Sequence, residues 1–171
     1  MACPALFLDR DGVINKEVNY LYKKEDFEFI DGIFELCSFY QNLGYKIIVV
    51  TNQSGIARGF YNEDQFNELT NWMIGEFDKQ GLHVSKVYYC PHHPEISGEC
   101  RCRKPDIGMF LDAKEEFDID LENSLMVGDN ERDIEAAKKA GISQTYFFDE
   151  YNKITDSKAS KIVHRLDEIY R

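Results

Sequence analysis

Short apolar runs that alternate with helix-like segments constrain the fold of this chain most strongly. Five runs of four or five residues, 5–8, 46–50, 86–89, 124–127 and 145–148, have the composition of strands that are buried on both faces. The segments 32–43, 62–79, 106–117 and 130–140 carry apolar residues at helical spacing. This alternation predicts an α/β fold, a doubly wound and mostly parallel sheet with helices on both faces. Residues 161–170 are expected to add a short strand and a helix.

Length and charge limit the possible organisation and partners. A chain of 171 residues is expected to form one domain over residues 1–171. The net charge of −11 argues against nucleic acid or a membrane surface as a partner, because both attract clustered Lys and Arg. The N-terminus lacks the basic and long apolar regions of a signal peptide. We therefore expect a cytoplasmic protein, and a monomer.

Polar motifs follow four of the predicted strands directly. They are DRDG at 9–12, TNQSG at 51–55, RKP at 103–105 and GDNERD at 128–133. Because ligands of open parallel sheets bind at the carboxyl ends of the strands, these motifs are expected to meet at one site. Taken singly, each motif has a simpler explanation as a solvated loop, a turn, a helix-start proline or a helix cap. Their joint occurrence at four strand ends favours a site.

The side chains in these motifs suit phosphoryl transfer. Asp9, Asp11 and Asp129 supply the hard oxygen donors that Mg²⁺ prefers. One carboxylate attacks phosphorus in such a site, and a second carboxyl serves as general acid and base. Thr51 and Lys104 are expected to hold the phosphoryl oxygens on which charge develops. The motifs therefore predict a Mg²⁺-dependent phosphatase whose catalytic residues are Asp9, Asp11, Thr51 and Lys104, with Asp9, Asp11 and Asp129 as the Mg²⁺ ligands.

Residues 90–102 combine cysteine and histidine at close spacing. Cys90, His92, Cys100 and Cys102 form a complete set of tetrahedral zinc ligands, with His93 as a competing ligand. Reduced thiols in the cytosol favour a metal over a disulfide, and a metal-free loop is the remaining alternative. A full set of protein ligands leaves no open position for water, so a Zn²⁺ here is expected to be structural.

Four motifs together resemble a known family over nearly the whole chain. FLDRDGVIN, VVTNQSGIARG, YYCPHHP…CRCRKP and MVGDNERD are similar to the four signature motifs of the haloacid dehalogenase (HAD) superfamily of phosphohydrolases. They resemble more narrowly its D-glycero-D-manno-heptose 1,7-bisphosphate 7-phosphatase branch, with the histidinol-phosphate phosphatases as close relatives. The resemblance implies loss of the C7 phosphate of a heptose bisphosphate, for nucleotide-activated heptose and lipopolysaccharide or surface-glycan synthesis. The C1 anomer does not follow from it.

The resemblance also implies individual roles. Asp9 is the nucleophile that forms an aspartyl-phosphate, Asp11 is the general acid and base, and Asp129 completes a Mg²⁺ site that includes the backbone carbonyl of Arg10. His92, rather than His93, is the implied zinc ligand. The implied substrate contacts are Arg10, Glu17, Val18, Asn19, Tyr20, Asn52, Gln53, Ser54, Arg58, Arg103 and Asn130. One departure is Val13, where the superfamily usually has Thr.

The intervals between the predicted elements are too short for a cap domain, which needs on the order of 50 residues. Short loops are therefore expected to select the substrate, a small phosphorylated sugar.

Arg103 is suited to a second phosphate because its guanidinium binds bidentately. Arg58 is equally explained as an exposed residue before a helix. TNQSGIARG, in place of the TNQDG of many histidinol-phosphate phosphatases, favours the heptose substrate. A zinc-organised binding module without catalysis is disfavoured, since phosphate binding alone does not need Asp11.

Overall fold

The computed structural model describes all of residues 1–171 and contains one six-stranded sheet. Its strands are β1 Ala5–Leu8, β2 Lys46–Asn52, β3 Val84–Cys90, β4 Leu125–Gly128, β5 Gln144–Phe148 and β6 Lys161–Val163. Their order across the sheet is β3-β2-β1-β4-β5-β6, and every neighbouring pair is parallel. The predicted doubly wound parallel sheet is confirmed. The chain reverses direction across the sheet at β1, which places the end of β1 at the topological switch point.

Five α-helices connect or flank the strands. They are α1 Ile33–Asn42, α2 Glu63–Lys79, α3 Pro94–Ser97, α4 Gly108–Phe117 and α5 Glu131–Ala140. The predicted helix over 106–117 begins only at Gly108, because the Asp106 amide closes a turn on the Arg103 carbonyl. The expected C-terminal helix is a single 3-10 turn, Leu166–Ile169.

Two helix starts follow from local hydrogen bonding. Asn62 and Gln65 form a reciprocal capping box at the start of α2, and Asn130 and Asp133 form one at the start of α5. Helix α5 ends at Gly141, whose positive φ of 101° suits glycine. Because α5 begins directly after β4, its capping residues lie at the carboxyl edge of the sheet.

Hydrophobic cores cover both faces of the sheet. Leu6 and Leu8 of β1 belong to one core with α1 and α2, whereas Ala5 and Phe7 belong to the other with α4 and α5. Alternate residues of a strand point to opposite faces, so a central strand must be apolar throughout. Val13 lies fully buried in the first core. Val13, at the position where the superfamily usually has Thr, therefore packs its apolar side chain in this core.

The connections at the carboxyl edge are short. Residues 9–32, between β1 and α1, contain only a 3-10 turn at Lys24–Asp26, and residues 91–107 contain only α3. Neither connection forms a separate cap domain. None of the helices combines the length and apolar character that crossing a membrane requires. The carboxyl edge is therefore covered by two short connections: residues 17–22, called the flap below, and residues 91–103, called the Cys/His loop.

Candidate active site and metal centres

A polar cavity of about 440 Å³ opens at the carboxyl ends of β1, β2 and β4. It is lined by Asp9, Asp11, Glu17, Asn19, Tyr20, Asn52, Gln53, Ser54, Gly55, Tyr61, Lys104, Asp129, Asn130 and Arg132. A larger cavity between the 3-10 turn and α2 shares none of these residues. The motifs that are distant in sequence therefore meet at one place, as expected for an open parallel sheet.

Lys104 lies at the buried base of this cavity. Its ammonium group is 3.1 Å from Asp9 Oδ1 and 2.7 Å from Asp133 Oδ1, and it donates to the carbonyl of Val50 at 2.8 Å. Burial acts to lower the pKa of Lys104, but the charges of Asp133 and Asp9 outweigh it and raise the pKa above its ordinary value. Lys104 is therefore a fixed positive charge beside the Asp9 carboxylate.

Asp133 is a site residue that the sequence interpretation missed. It is fully buried and is the third residue of α5, where its Oδ2 accepts the Asn130 amide. The repeated acid in GDNERD was the available signal, but a capping box explains the same spacing. A Cβ at Gly128 would collide with the Asp133 side chain. The absence of a side chain at Gly128, the last residue of β4, therefore allows the Asp133 side chain to pack against the end of this strand.

Asp9, Asp129 and Asp133 place carboxylate oxygens within 4.8 Å of one another. Burial, together with the neighbouring carboxylates, raises the pKa of Asp9 to about 6, although Lys104 acts to lower it, and raises that of Asp129 to about 9. A buried group of acids that resist ionisation fits a divalent cation, because hard oxygen donors and negative charge are what Mg²⁺ requires. The donor set therefore fits Mg²⁺ at Asp9 and Asp129.

The structure bears on two details of the expected magnesium site. The Asp11 carboxylate is not among the clustered oxygens, where Asp133 is found instead. The Arg10 carbonyl accepts the amides of Val13, Ile14 and Asn15 at 2.8–3.2 Å. These bonds compete with a metal for the carbonyl oxygen. The role of the Arg10 carbonyl as a ligand stays a prediction.

A turn brings Asp129 against the loop that follows β1. Gly12 has a φ of +90° and lies against the Asp129 carboxylate, so closely that a Cβ would collide with it. Any other residue would meet both the strained backbone and this clash. The glycine of DRDG therefore permits the close approach of the two acidic loops.

Asp11 is held by donors on three sides. The Arg10 guanidinium donates to both of its oxygens at 3.0–3.2 Å, Asn15 Nδ2 donates to Oδ1 at 3.0 Å and Gln53 Nε2 donates to Oδ2 at 3.1 Å. Arg10 is buried and lies over the Phe66 ring at 5.7 Å. Arg10 was expected at the substrate, but the structure places it behind Asp11. It therefore orients the second aspartate.

Gln53 links Asp11 to Thr51. Its Nε2 also donates to Thr51 Oγ1 at 2.9 Å, and its Oε1 accepts from the Tyr61 hydroxyl. Burial raises the pKa of Tyr61 to about 12, so its hydroxyl stays a donor. Thr51 is buried and is not among the residues that line the cavity. Tyr61 was not expected from the sequence, which offers no signal for it beyond its aromatic character.

Asn52 binds the main chain of Lys104 with both ends of its amide. Its Oδ1 accepts the Lys104 amide at 2.9 Å, and its Nδ2 donates to the Lys104 carbonyl at 3.2 Å. In the sheet, Asn52 pairs with Cys90, where the Cys/His loop begins. Asn52 was expected to contact substrate. The structure also gives it a positioning role, since it holds the residue that carries the buried ammonium group.

Cys90, at the end of β3, converges with His92, Cys100 and Cys102 of the Cys/His loop. The Cys100 sulfur lies 3.6 Å from both other sulfurs, and His92 Nδ1 lies 3.6 Å from Cys90 and 3.3 Å from Cys102. Zn–S bonds of 2.3 Å give a tetrahedral edge of about 3.8 Å. The Cys90 and Cys102 sulfurs are closer, at 2.7 Å. The donor types and the other separations fit one zinc ion, the Cys90 and Cys102 sulfurs would have to move apart to bind it, and His92 supplies the nitrogen.

His93 lies outside this cluster. Its Nδ1 accepts the Glu95 amide at 3.2 Å at the start of α3, and its Nε2 is 2.8 Å from the Arg58 guanidinium. The Arg103 guanidinium donates to the His92 carbonyl at 3.4 Å. Neither arginine lines the cavity. The two expected discriminators therefore contact the Cys/His loop, and the guanidinium at the cavity is that of Arg132, which the sequence interpretation did not include.

Of the substrate contacts expected on the flap, three line the cavity and one does not. Glu17, Asn19 and Tyr20 line the cavity, whereas Val18 is exposed and does not. Burial, together with the charges of Asp11 and Asp9, raises the pKa of Glu17 to about 7. The Tyr20 ring stacks on Phe60 with centroids 4.3 Å apart. Ser54 and Asn130 also line the cavity. The flap thus brings one acid and one aromatic ring to the entrance.

Comparison with known proteins agrees with this geometry. A family model of HAD-hydrolase-like proteins matches residues 101–147. The chain is 50% identical over 156 residues to the D-glycero-alpha-D-manno-heptose-1,7-bisphosphate 7-phosphatase of Campylobacter jejuni, which covers 91% of this chain and 88% of that protein. It is 45% identical over 174 residues to the D-glycero-beta-D-manno-heptose-1,7-bisphosphate 7-phosphatase of Vibrio cholerae, and this match covers 99% of this chain and 94% of that protein.

A solved structure extends the similarity to three dimensions. The D,D-heptose 1,7-bisphosphate phosphatase of B. bronchiseptica, complexed with magnesium and phosphate, superposes with a TM-score of 0.83. It is 26% identical in sequence, and the match covers 97% of this chain and 95% of that one. The similarity therefore extends over the sheet, the flap and the Cys/His loop together.

Proposed function

The chain belongs to the heptose-1,7-bisphosphate 7-phosphatase family of HAD-like phosphatases, and we propose that it removes the C7 phosphate of D-glycero-D-manno-heptose 1,7-bisphosphate. The observation that carries this proposal is the pairing of Asp9 with the buried ammonium of Lys104, beside Asp11 in a polar cavity of about 440 Å³. That arrangement supplies a nucleophile, a cation for the phosphoryl oxygens and a second carboxyl for proton transfer.

Asp9 acts as the nucleophile in the proposed reaction. Its carboxylate attacks phosphorus, the bond from phosphorus to the C7 oxygen breaks, and an aspartyl-phosphate forms on Asp9. Water then attacks the phosphorus, the bond from phosphorus to the Asp9 oxygen breaks, and inorganic phosphate leaves. Lys104 holds a phosphoryl oxygen near Asp9 throughout, because its ammonium is fixed by Asp133 and the Val50 carbonyl.

Asp11 moves the protons of both steps. It gives a proton to the departing C7 oxygen and later takes one from the attacking water. In the structure Asp11 accepts from Arg10, Asn15 and Gln53, an arrangement that suits the carboxylate as a base. To act as an acid it must first take up a proton. The three donors fix its orientation in either step.

Two metal ions complete the proposed enzyme. Mg²⁺ held by Asp9 and Asp129 would supply positive charge for the phosphoryl group. The B. bronchiseptica relative was solved with magnesium and phosphate, which supports this cofactor. Zn²⁺ held by Cys90, His92, Cys100 and Cys102 would be structural, because four protein ligands fill its coordination. The proposed enzyme is a cytosolic monomer, and the reduced thiols at this site suit the cytosol.

Substrate preference tests the proposal. We expect kcat/KM for one or both C1 anomers of the heptose bisphosphate to exceed that for histidinol phosphate by about tenfold or more, since the second phosphate adds charge-assisted contacts. Both anomers are needed because relatives named for each are similar to this chain. Phosphorus NMR of the product identifies the phosphate that remains. Faster turnover of histidinol phosphate, or release of the C1 phosphate, contradicts the proposal.

A further inference from the structure

The cavity carries an excess of negative charge. Four carboxyl groups line it, those of Asp9, Asp11, Glu17 and Asp129, against two cations, Lys104 and Arg132. A phosphomonoester carries about −1.5 to −2 charges at neutral pH, and a bisphosphate carries two such groups. A bisphosphate therefore needs cations for the phosphate that stays as well as for the one that leaves.

Lys104 is committed to the reacting phosphate. Its ammonium contacts Asp9, Asp133 and the Val50 carbonyl, and its side chain is only 1% exposed. The contacts to Asp9 and the Val50 carbonyl are hydrogen bonds, and the contact to Asp133 is an ion pair. Lys104 is thus held at the nucleophile and cannot extend to a group elsewhere on the substrate.

Arg132 is the free cation of the cavity. It is the second residue of α5, its side chain is exposed, and its guanidinium makes no hydrogen bond or ion pair with the protein. Arg58 and Arg103, by contrast, contact His93 and the His92 carbonyl outside the cavity lining. The charge of Arg132 also lowers the pKa of Glu17 on the flap, against the acids that raise it. The positive charge of Arg132 therefore acts on groups at the entrance of the cavity, including Glu17 on the flap.

We infer that Arg132 binds the phosphate that is not hydrolysed and so sets the preference for bisphosphate over monophosphate substrates. The inference rests on the proposed function. A guanidinium offers paired donors that match two phosphate oxygens, which a lone amide or hydroxyl at the entrance does not. Asn130, two residues earlier, lines the same wall and supplies neutral polar contact. Arg132 is thus a specificity residue at the entrance of the cavity.

The test compares two substrates that differ only in the second phosphate. Arg132→Gln and Arg132→Lys are measured with heptose 1,7-bisphosphate and with heptose 7-phosphate. We expect the ratio of the two kcat/KM values to fall about 10- to 100-fold in Arg132→Gln, mainly through KM for the bisphosphate. The ratio for Arg132→Lys is expected to lie between those of the wild type and Arg132→Gln, because Lys keeps the charge but loses the paired donors.

Lys139→Gln is the matched control, since it removes one positive charge from the exposed surface of the same helix, away from the cavity. Its substrate ratio is expected to stay at the wild-type value. Arg103→Gln tests the competing arginine. A ratio that falls in Arg103→Gln and not in Arg132→Gln overturns the assignment, as does an unchanged ratio in Arg132→Gln. A wild-type enzyme that hydrolyses neither heptose phosphate instead overturns the proposed function, and this inference with it.

Discussion

Asn52 and Lys104 lie 52 positions apart and are joined by two hydrogen bonds between the Asn52 side-chain amide and the Lys104 main chain. The Lys104 ammonium then binds the Val50 carbonyl, two residues before Asn52 on the same strand. Main chain and side chain of Lys104 are thus both tied to β2. This double attachment fixes the buried cation to β2, in addition to whatever the preceding loop contributes.

Asn52→Ala tests that attachment. The change removes both bonds and leaves the Lys104 amide and carbonyl without these partners, which costs about 1–3 kcal/mol of unfolding free energy. We expect kcat/KM to fall about 10- to 100-fold, because small displacements of a catalytic group are costly. Kinetics and thermal unfolding measure the two effects. Asn123→Ala removes an exposed Asn that bonds to Asp120 far from the cavity, and should leave kcat/KM unchanged. Wild-type kinetics in Asn52→Ala would refute the positioning role.

Asp9→Asn separates chemistry from folding. An amide cannot form the aspartyl-phosphate, so phosphate release is expected to fall at least about 1,000-fold. The pKa of Asp9 is raised by burial and by Asp133, so the ionised side chain opposes folding above about pH 6. Without Mg²⁺ at pH 8, the variant should therefore melt at or above the wild-type temperature. Asp78→Asn, an exposed change at the end of α2, is the control. Substantial turnover by Asp9→Asn would sink the nucleophile assignment.

The stability of the metal-free protein is expected to fall as the pH rises. The folded-state pKa values of Asp9 and Asp129, about 6 and about 9, lie above those of an unfolded chain. The stabilisation they give is fully present below about pH 4 and is lost as the pH rises through the folded values.

Mg²⁺ should reverse this loss. At 100 times its Kd it adds about 2.7 kcal/mol to the unfolding free energy. The gain in melting temperature should be larger at pH 8 than at pH 6, where the cation must displace protons from the carboxyl groups. Melting curves with and without Mg²⁺ measure the difference, and Asp129→Asn should weaken it. An equal Mg²⁺ effect at both pH values would contradict the proposed ligands.

Zinc loss should act on catalysis through the position of the Cys/His loop. We expect about one zinc per chain in the wild type and less in Cys100→Ser, by elemental analysis. Cys102 lies two residues before Lys104, so the variant should melt lower and lose up to about 100-fold in kcat/KM. Cys3→Ser, outside the cluster, is the control. A zinc-free wild-type protein would show that the cluster has another role.

The sheet was predictable because its strands are apolar on both faces. The five apolar runs correspond to β1 to β5, and β6 is the short C-terminal strand that was expected. Strand β3 begins at Val84, earlier than the run at 86–89, because its buried and exposed residues alternate toward an edge of the sheet. Apolar residues therefore reveal the whole length of a central strand, but only part of the length of an edge strand such as β3.

The direction of long polar side chains was less predictable than the backbone that carries them. Arg103 was expected to contact substrate because of the family resemblance and because its guanidinium can bind a phosphate bidentately, yet that guanidinium contacts the His92 carbonyl. Asp133 was overlooked because a capping box accounts for its spacing. Such choices depend on partners brought near by the fold, which residue spacing does not show. Asp9, Asp11 and Asp129 were easier to place at the cavity, since they directly follow strand ends that fix their position.

One residue closes the Cys/His loop at both ends. Asn52 pairs in the sheet with Cys90, and its side chain holds Lys104, so the segment between them leaves and returns at a single point. A loop with a common base behaves as a module whose length and sequence can change without moving its anchors. Evolution is therefore free to insert, shorten or exchange residues 93–99, between the proposed zinc ligands, while the buried ammonium stays in place, and a designer can graft other segments at the same position.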